Sequence, residues 1–469
     1  MRDVTQLSAL ELSAKIEHAE LTSVQVTSAF LERIEEFNPK INAIVGLRAR
    51  SDILADARRA DESARRGWLH GIPLAIKDLA ETKGMRTTFG SPLFAEHTPT
   101  HDSLMVQRIK DAGAVLIGKT NTPEFGLGSH TFNPVYGATR NPYALDLSAG
   151  GSSGGAAAAL AARLVPVADG SDMMGSLRNP AAFCNVYGFR PSWGLVPADP
   201  TGEMFLQQLA TSGPMGRSPA DIAALLQTMA GPDPRIPYDT GVPPDFRDLR
   251  GSVSGKRIGW LADWQGAYPC EDGILSLCET GLSAFDQLGC SVEPVMSPFD
   301  AMDLWWSWRT LRAWANASKM KETYDDPDQR ALLKPEMIWE IEQGLSLSAR
   351  DVHDASTVRS AWFRKFIELS SRYDAFALPS AQVWPFPVEW TYPKRINGTE
   401  MDTYHRWMEI VIPVSLIGLP CLAIPAGFSA QGLPMGLQLF GPRGSDRQIL
   451  TLGHAYHTFH DWTEQAPDL

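Results

Sequence analysis

Between Ser148 and Pro191 the chain reads SAGGSSGGAAAALAARLVPVADGSDMMGSLRNPAAFCNVYGFRP. Gly150, Gly151, Gly154 and Gly155 permit close backbone approach, and the alanines that follow predict a helix whose first N–H groups can face an anion or a reacting oxygen. The apolar run Leu164 to Ala168 predicts a strand, followed by a second turn-like element, Gly170-Ser-Asp-Met173-Met174-Gly175-Ser176. Either element taken alone reads most simply as a structural turn. Two of them, each carrying serine and each joined to a regular element, make a place for acyl chemistry.

The rest of the chain supplies the frame. Ser8 with Glu11 and Thr22 with Gln25 spell two capping boxes. The second opens a helix carrying Val26, Phe30, Ile34 and Phe37 that Asn38-Pro39 should stop. Ile72 to Ile76 reads as a strand, Asp102 as the cap of a helix through Met105 and Ile109, and Ala114 to Ile117 as a second strand. That order suggests a crossover unit in a largely parallel sheet. Further strands are expected at Arg257 to Leu261, Cys290 to Val292, Ala375 to Leu378, Cys421 to Ile424 and Gly436 to Phe440. Helices are expected at Ile274 to Leu288 and after Ser445 and Gln448.

No repeat or low-complexity linker divides the 469 residues, so one domain over 1–469 is expected. With 44% hydrophobic and 20% charged residues the composition is that of a folded globular chain. A net charge of −12 argues against nucleic acid or an anionic membrane as partner. The uncharged run Ile410 to Phe428 contains Pro413, Gly418, Pro420 and Pro425, which suits strands and turns rather than a spanning helix. Five cysteines without a C-x-x-C pair indicate neither a disulfide framework nor a zinc site. The N-terminal residues lack a secretory pattern, which makes the cytoplasm the expected compartment.

Three motifs compete for the chemistry. Gly113 to Thr120 matches the P-loop pattern, but its interior is a β-prone apolar run and Asn121-Thr122-Pro123 follows where a helix should continue. His454, His457 and His460 lie on neighbouring turns of the last helix, where partly exposed ring edges are a simpler reading than metal ligation. Gly151-Ser-Ser153-Gly-Gly155 satisfies the nucleophile-elbow pattern with Ser153 at its centre, which would require a histidine such as His353, His405 or His454. Nine of the fourteen tryptophans fall between residues 305 and 407, either as packing in a helical segment or as a cap over an apolar pocket.

From Gly71 to Pro191 the chain resembles the amidase signature family of serine hydrolases. Gly71-Ile-Pro-Leu-Ala-Ile-Lys77-Asp78 looks like that family's lysine strand. Gly118-Lys-Thr-Asn-Thr-Pro-Glu-Phe-Gly126 and Gly137-Ala-Thr-Arg-Asn-Pro142 are similar to the segments that follow it. The two Gly-Ser elements then stand in family order, with 24 residues from Ser152 to Ser176. Gly418-Leu-Pro420, Pro425-Ala-Gly427 and Gly432-Leu-Pro-Met-Gly-Leu-Gln438 extend the resemblance to the C-terminal region.

The resemblance implies one α/β/α domain around a large twisted mixed sheet. Its signature core spans about 65–200, a tryptophan-rich, mostly helical insertion about 296–410, and a C-terminal core segment about 411–469. It implies a Ser-cisSer-Lys triad with Ser176 as nucleophile, Ser152 as bridging serine after a cis peptide bond, and Lys77 as base. It further implies an oxyanion hole of the amides of Met173, Met174, Gly175 and Ser176, and substrate contacts at Gly126 and Ser152. No metal and no organic cofactor is implied. The expected partner is a small-molecule amide, with aryl amides, carbamates and esters chemically close, and a homodimer is the one assembly considered. A glutaminase subunit of a tRNA-dependent amidotransferase is the alternative within the family. The chain departs from the family's usual Gly-Thr-Asp-Xaa-Gly-Gly-Ser turn by placing Met174 where glycine is common. A left-handed backbone there would strain methionine and its bulk should reshape the pocket, which also raises the reading of an inactive binding module.

Overall fold

The computed structural model describes residues 3–238 and 241–469. Both expected capping boxes form, opening the helices Ala9–Glu17 and Ser23–Ile41. The second helix runs through Pro39 rather than stopping there. It ends at Asn42, whose φ of 56° is left-handed, while the Asn38 side chain accepts the amides of Ala43 and Ile44 and so turns the chain.

Strands β1 (Pro73–Lys77) and β2 (Val115–Thr120) run parallel, joined by the helix Leu104–Asp111. Ser103, not Asp102, occupies the N-cap position; Asp102 instead accepts the Lys83 amide and pairs with Lys110. With the short strand Ile44–Val45 they form a separate sheet of three, so the crossover does not belong to the large sheet.

The large sheet has eight strands: β3 (Val167–Asp172), β4 (Tyr187–Arg190), β5 (Thr211–Gly216), β6 (Arg257–Trp260), β7 (Ser291–Pro294), β8 (Ala375–Pro379), β9 (Cys421–Phe428) and β10 (Pro434–Phe440). Their order is β7-β6-β8-β10-β9-β4-β5-β3. Only the pairs that β6 makes with β7 and β8 are parallel; the others are antiparallel, so the sheet is mixed rather than largely parallel.

Edge strand β3 begins after Pro166 and carries Gly170 and Ser171 within it, so the second small-residue element is a strand end followed by a turn at Met173 to Ser176. Gly170 has to be bare there, because a Cβ would come within 2.7 Å of Ser153 Oγ and 2.6 Å of Leu177 Cδ2. The alanine run forms the wholly buried helix Gly154–Ala161, and small residues are required because a Cβ on Gly155 would overlap the Asn121 backbone. The amides at its start are consumed internally, Gly154 by Thr131 Oγ1 at 3.1 Å and Gly155 by Asn121 O at 3.2 Å, so that end is no anion site.

The tryptophan-rich stretch is helical at Ala301–Asp325, Pro335–Leu345 and Ala349–Ser370, then returns to the middle of the large sheet as β8. Trp305, Trp308, Trp362 and Trp407 are buried in the core. Ile410 to Phe428 forms a short helix, Ile412–Leu416, and strand β9, and no helix of the described residues is long and apolar enough to cross a membrane. In the final helix, Asp446–Phe459, Ser445 sits at the N-cap but its hydroxyl donates to Pro442 O instead of capping.

Gly344 lies against the neighbouring helix, where a Cβ would overlap the carbonyl oxygen of Ala313. Gly344→Ala is expected to cost about 1–3 kcal/mol by forcing the two helices apart, read as a lower urea midpoint. Gly251→Ala, whose Cβ meets only Thr451 Cγ2 at 3.8 Å, should stay within about 0.5 kcal/mol of the parent.

Candidate active site

Lys77 ends β1 with its side chain fully buried. Its Nζ lies 2.8 Å from Ser152 Oγ, 2.8 Å from Ser153 Oγ and 3.1 Å from Ser171 Oγ. Burial lowers its pKa to about 7, against the pull of Asp169 and Asp172, which favour the charged form. Asp169 accepts the Lys77 amide at 3.0 Å, and burial pushes its own pKa up to about 6. Lys77 does not pair with adjacent Asp78, which accepts the amide and hydroxyl of Thr88.

Ser152 follows a cis peptide bond at Gly151–Ser152. Ser152, Ser176 and Gly126 line one cavity of about 830 Å³. Gly126 adopts a left-handed φ of 72°, and a Cβ there would sit 3.4 Å from Ser152 Oγ. Ser153 is buried outside that cavity, between Lys77 and Ser171, and has no histidine among its hydrogen-bond partners. The elbow arrangement is therefore not assembled. His353 is exposed on its helix, and His405 is buried 3.6 Å from Glu340. His457 bonds the Tyr187 hydroxyl, and His460 packs on Trp462. Among the described residues no three His, Cys, Asp or Glu groups converge to hold a metal.

The turn bearing Ser176 is organised by Asp172, the last residue of β3. Its carboxylate accepts the amides of Gly175 and Leu177 and two bonds from Arg178, and Arg190 lies at 3.2 Å. Burial alone would raise this carboxyl, but the two guanidinium groups outweigh it and hold it well below the ordinary range. The Gly175 amide, expected to face an oxyanion, is thus given to Asp172 at 2.9 Å. Met174 has no left-handed backbone and is buried in the core, while Met173 lines the cavity. The expected strain at Met174 is absent and its side chain does not line the cavity; the left-handed position of the turn is Gly175, with φ of 77°.

The far wall comes from the helix Ala301–Asp325, through Leu311, Arg312 and Trp314. Of the nine clustered tryptophans only Trp314 reaches the cavity; Trp193, from elsewhere, joins it. Sequence reasoning missed Asp169, Asp172, Arg178, Arg190 and Arg312. The available signal was charge embedded in runs of small and apolar residues.

A family model described as Amidase matches residues 25–450. An acylamidase from Rhodococcus erythropolis is 32% identical, over 98% of this chain and 97% of its own length. A glutamyl-tRNA(Gln) amidotransferase subunit from Roseiflexus sp. (strain RS-1) is 34% identical over 99% and 98%. A bacterial aryl acylamidase of the amidase signature family superposes with a TM-score of 0.91 at 28% identity, covering 98% of this chain and 97% of that one.

Replacing Asp172 by Asn would leave two buried guanidinium groups facing a neutral amide. Asp172→Asn is expected to lose about 3–5 kcal/mol of unfolding free energy in urea titrations at neutral pH. A loss below about 1 kcal/mol would show that the arginines find other compensation.

Proposed function

Because this chain belongs to the Amidase family of amidase signature enzymes, which hydrolyse C–N bonds, we propose that it cleaves a small-molecule amide through Ser176, Ser152 and Lys77. The observation that carries this reading is the buried Lys77 amine 2.8 Å from Ser152, which lines one cavity together with Ser176. Neutral Lys77 takes the proton of Ser152 Oγ. Ser152 takes that of Ser176 as the Ser176 oxygen bonds to the carbonyl carbon. The amides of Met173, Met174 and Ser176 face the oxyanion, each good donor contributing about 3 kcal/mol. Collapse breaks the C–N bond while Ser152 protonates the leaving nitrogen. Water then attacks the acyl-enzyme and releases the acid.

Leu79, Phe125, Trp193, Leu311 and Trp314 on the cavity wall support an apolar or aromatic group on one side of the amide. The full-length similarity to an amidotransferase component supports a second reading, a glutaminase that works within a complex. Robust turnover of an arylamide by the isolated chain favours the first, and ammonia release from glutamine only with partner subunits present favours the second.

A fluorophosphonate probe should label Ser176, as mapped by peptide mass, and Ser176→Ala should abolish both labelling and turnover. Lys77→Ala should lower kcat/KM by about 10²–10⁴-fold. Since the base acts when neutral, kcat/KM should rise with pH through about 7 and fall about tenfold per unit below it. Adduct on Ser153, or a flat profile from about pH 6 to about pH 8, would defeat this assignment.

A further inference from the structure

The same cavity holds a cation that the hydrolysis above does not use. Arg359 projects from the helix Ala349–Ser370 into the cavity wall and is largely shielded from water. Its guanidinium donates to the backbone oxygen of Gln208 at 3.3 Å, and no ion pair joins it to a carboxylate among the described residues. Arg190 and Arg443 are its charged neighbours, and together with burial they hold its pKa down to about 10. Lys319, exposed at the same cavity, has no carboxylate partner among the described residues, whereas Lys321 is bound to Asp325.

The acidic groups that border the cavity are committed elsewhere or stand at its rim. Asp172 belongs to Arg178 and Arg190. Asp199 accepts the Leu104 amide at 2.7 Å, and Glu203 accepts the amides of Phe205, Leu206 and Gln207. Glu322 is exposed. A partly desolvated guanidinium with one carbonyl acceptor retains donors in a planar fork suited to a carboxylate. Leaving such a group unpaired costs free energy that an anionic ligand recovers.

Resting on the amide-hydrolysis reading, we propose that Arg359 receives a carboxylate carried by the substrate at a distance from the scissile amide. The substrate class is then an amide whose acyl or amine portion ends in a carboxylate. An apolar segment lies between the two groups, along Trp193, Leu311 and Trp314.

Two matched pairs test this on the full-length protein: succinyl 4-nitroanilide against butyryl 4-nitroanilide, and 4-acetamidobenzoate against 4-acetamidotoluene. In at least one pair the carboxylate should raise kcat/KM by about tenfold or more, as a charge-assisted contact of this kind provides. Arg359→Gln should remove that preference while leaving the neutral partner within about threefold, and Arg359→Lys should keep part of it. Glutarate binding by calorimetry, weakened in Arg359→Gln but not by loss of Ser176, supplies a readout independent of turnover. Equal kcat/KM within both pairs, a preference that survives Arg359→Gln, or unchanged glutarate binding in that variant overturns the inference. Fluorophosphonate labelling of Ser176 in Arg359→Gln separates the two claims: labelling with no carboxylate preference sinks only the anion site, and no labelling of Ser176 in the parent sinks the hydrolytic reading.

Discussion

The carboxylate of Asp172 lies wholly out of water between Arg178 and Arg190, and three parts of the chain meet there. Desolvating each ion costs several kcal/mol, which is tolerable only because every oxygen is used. Arg178 reaches on to Gln438 on β10, to Val411 O at 3.1 Å and to Ser415 Oγ at 2.6 Å. Arg190 reaches Leu209 O at 2.8 Å. The end of β3, the turn carrying Ser176 and the C-terminal strands are therefore tied through one group. An apolar replacement could fill the space, but it could not fix the amides of Gly175 and Leu177 or the angle at which Ser176 leaves the strand.

Two buried lysines on adjacent strands both have their pKa lowered chiefly by burial, and they differ in their hydrogen-bond partners. Lys119 reaches Ala80 O at 2.6 Å and Thr82 Oγ1 at 2.9 Å, and its pKa falls to about 8. A backbone carbonyl can only accept, so it rewards the ammonium form. Lys77 is surrounded by the hydroxyls of Ser152, Ser153 and Ser171, each able to donate as well, and its pKa falls to about 7. Those hydroxyls can turn their protons toward a neutral amine, so the site tolerates both states near neutrality. The nearby Asp169 and Asp172 charges limit the depression that burial alone would produce.

Much of this frame is legible in the sequence because local signals and tertiary packing agree. The capping boxes at Ser8 and Thr22 and most strand positions are set by short-range hydrogen bonding and apolar runs. The errors arise where partners distant in sequence decide. Asp102 has the look of a helix cap but is claimed by Lys83 and Lys110, and the glycine-rich helix start is claimed by Thr131 and Asn121. Ser171 has the look of a turn residue but pairs with Ser212 across β5. Strain at Met174 is a fair expectation because its backbone angle is invisible in the sequence, and the left-handed position falls one residue later, at Gly175. The lysine and serines come from motif order; the charge network around Asp172 is visible only once β3, β4 and β10 are assembled.

On the proposed reading, selection and chemistry are built on different layers, and Met173 joins them. In the proposed mechanism Lys77 comes from the small sheet, Ser152 from the turn before the helix Gly154–Ala161 and Ser176 from the turn after β3, while the helix Ala301–Asp325 supplies the facing wall. Within that wall Arg312 is buried, bound to Glu340 at 2.6 Å and to the Tyr404 hydroxyl at 2.9 Å, so it cannot swing freely. Its remaining amine lies 3.1 Å from Met173 Sδ, a weak acceptor. Met173 opens the turn that ends at Ser176, so the wall that faces the cavity also braces that turn. Contacts that bind substrate and transition state equally do not accelerate the reaction. Under the proposed mechanism, a wall that fixes the amides around the carbonyl oxygen would act where charge develops, and there remote binding would contribute to rate.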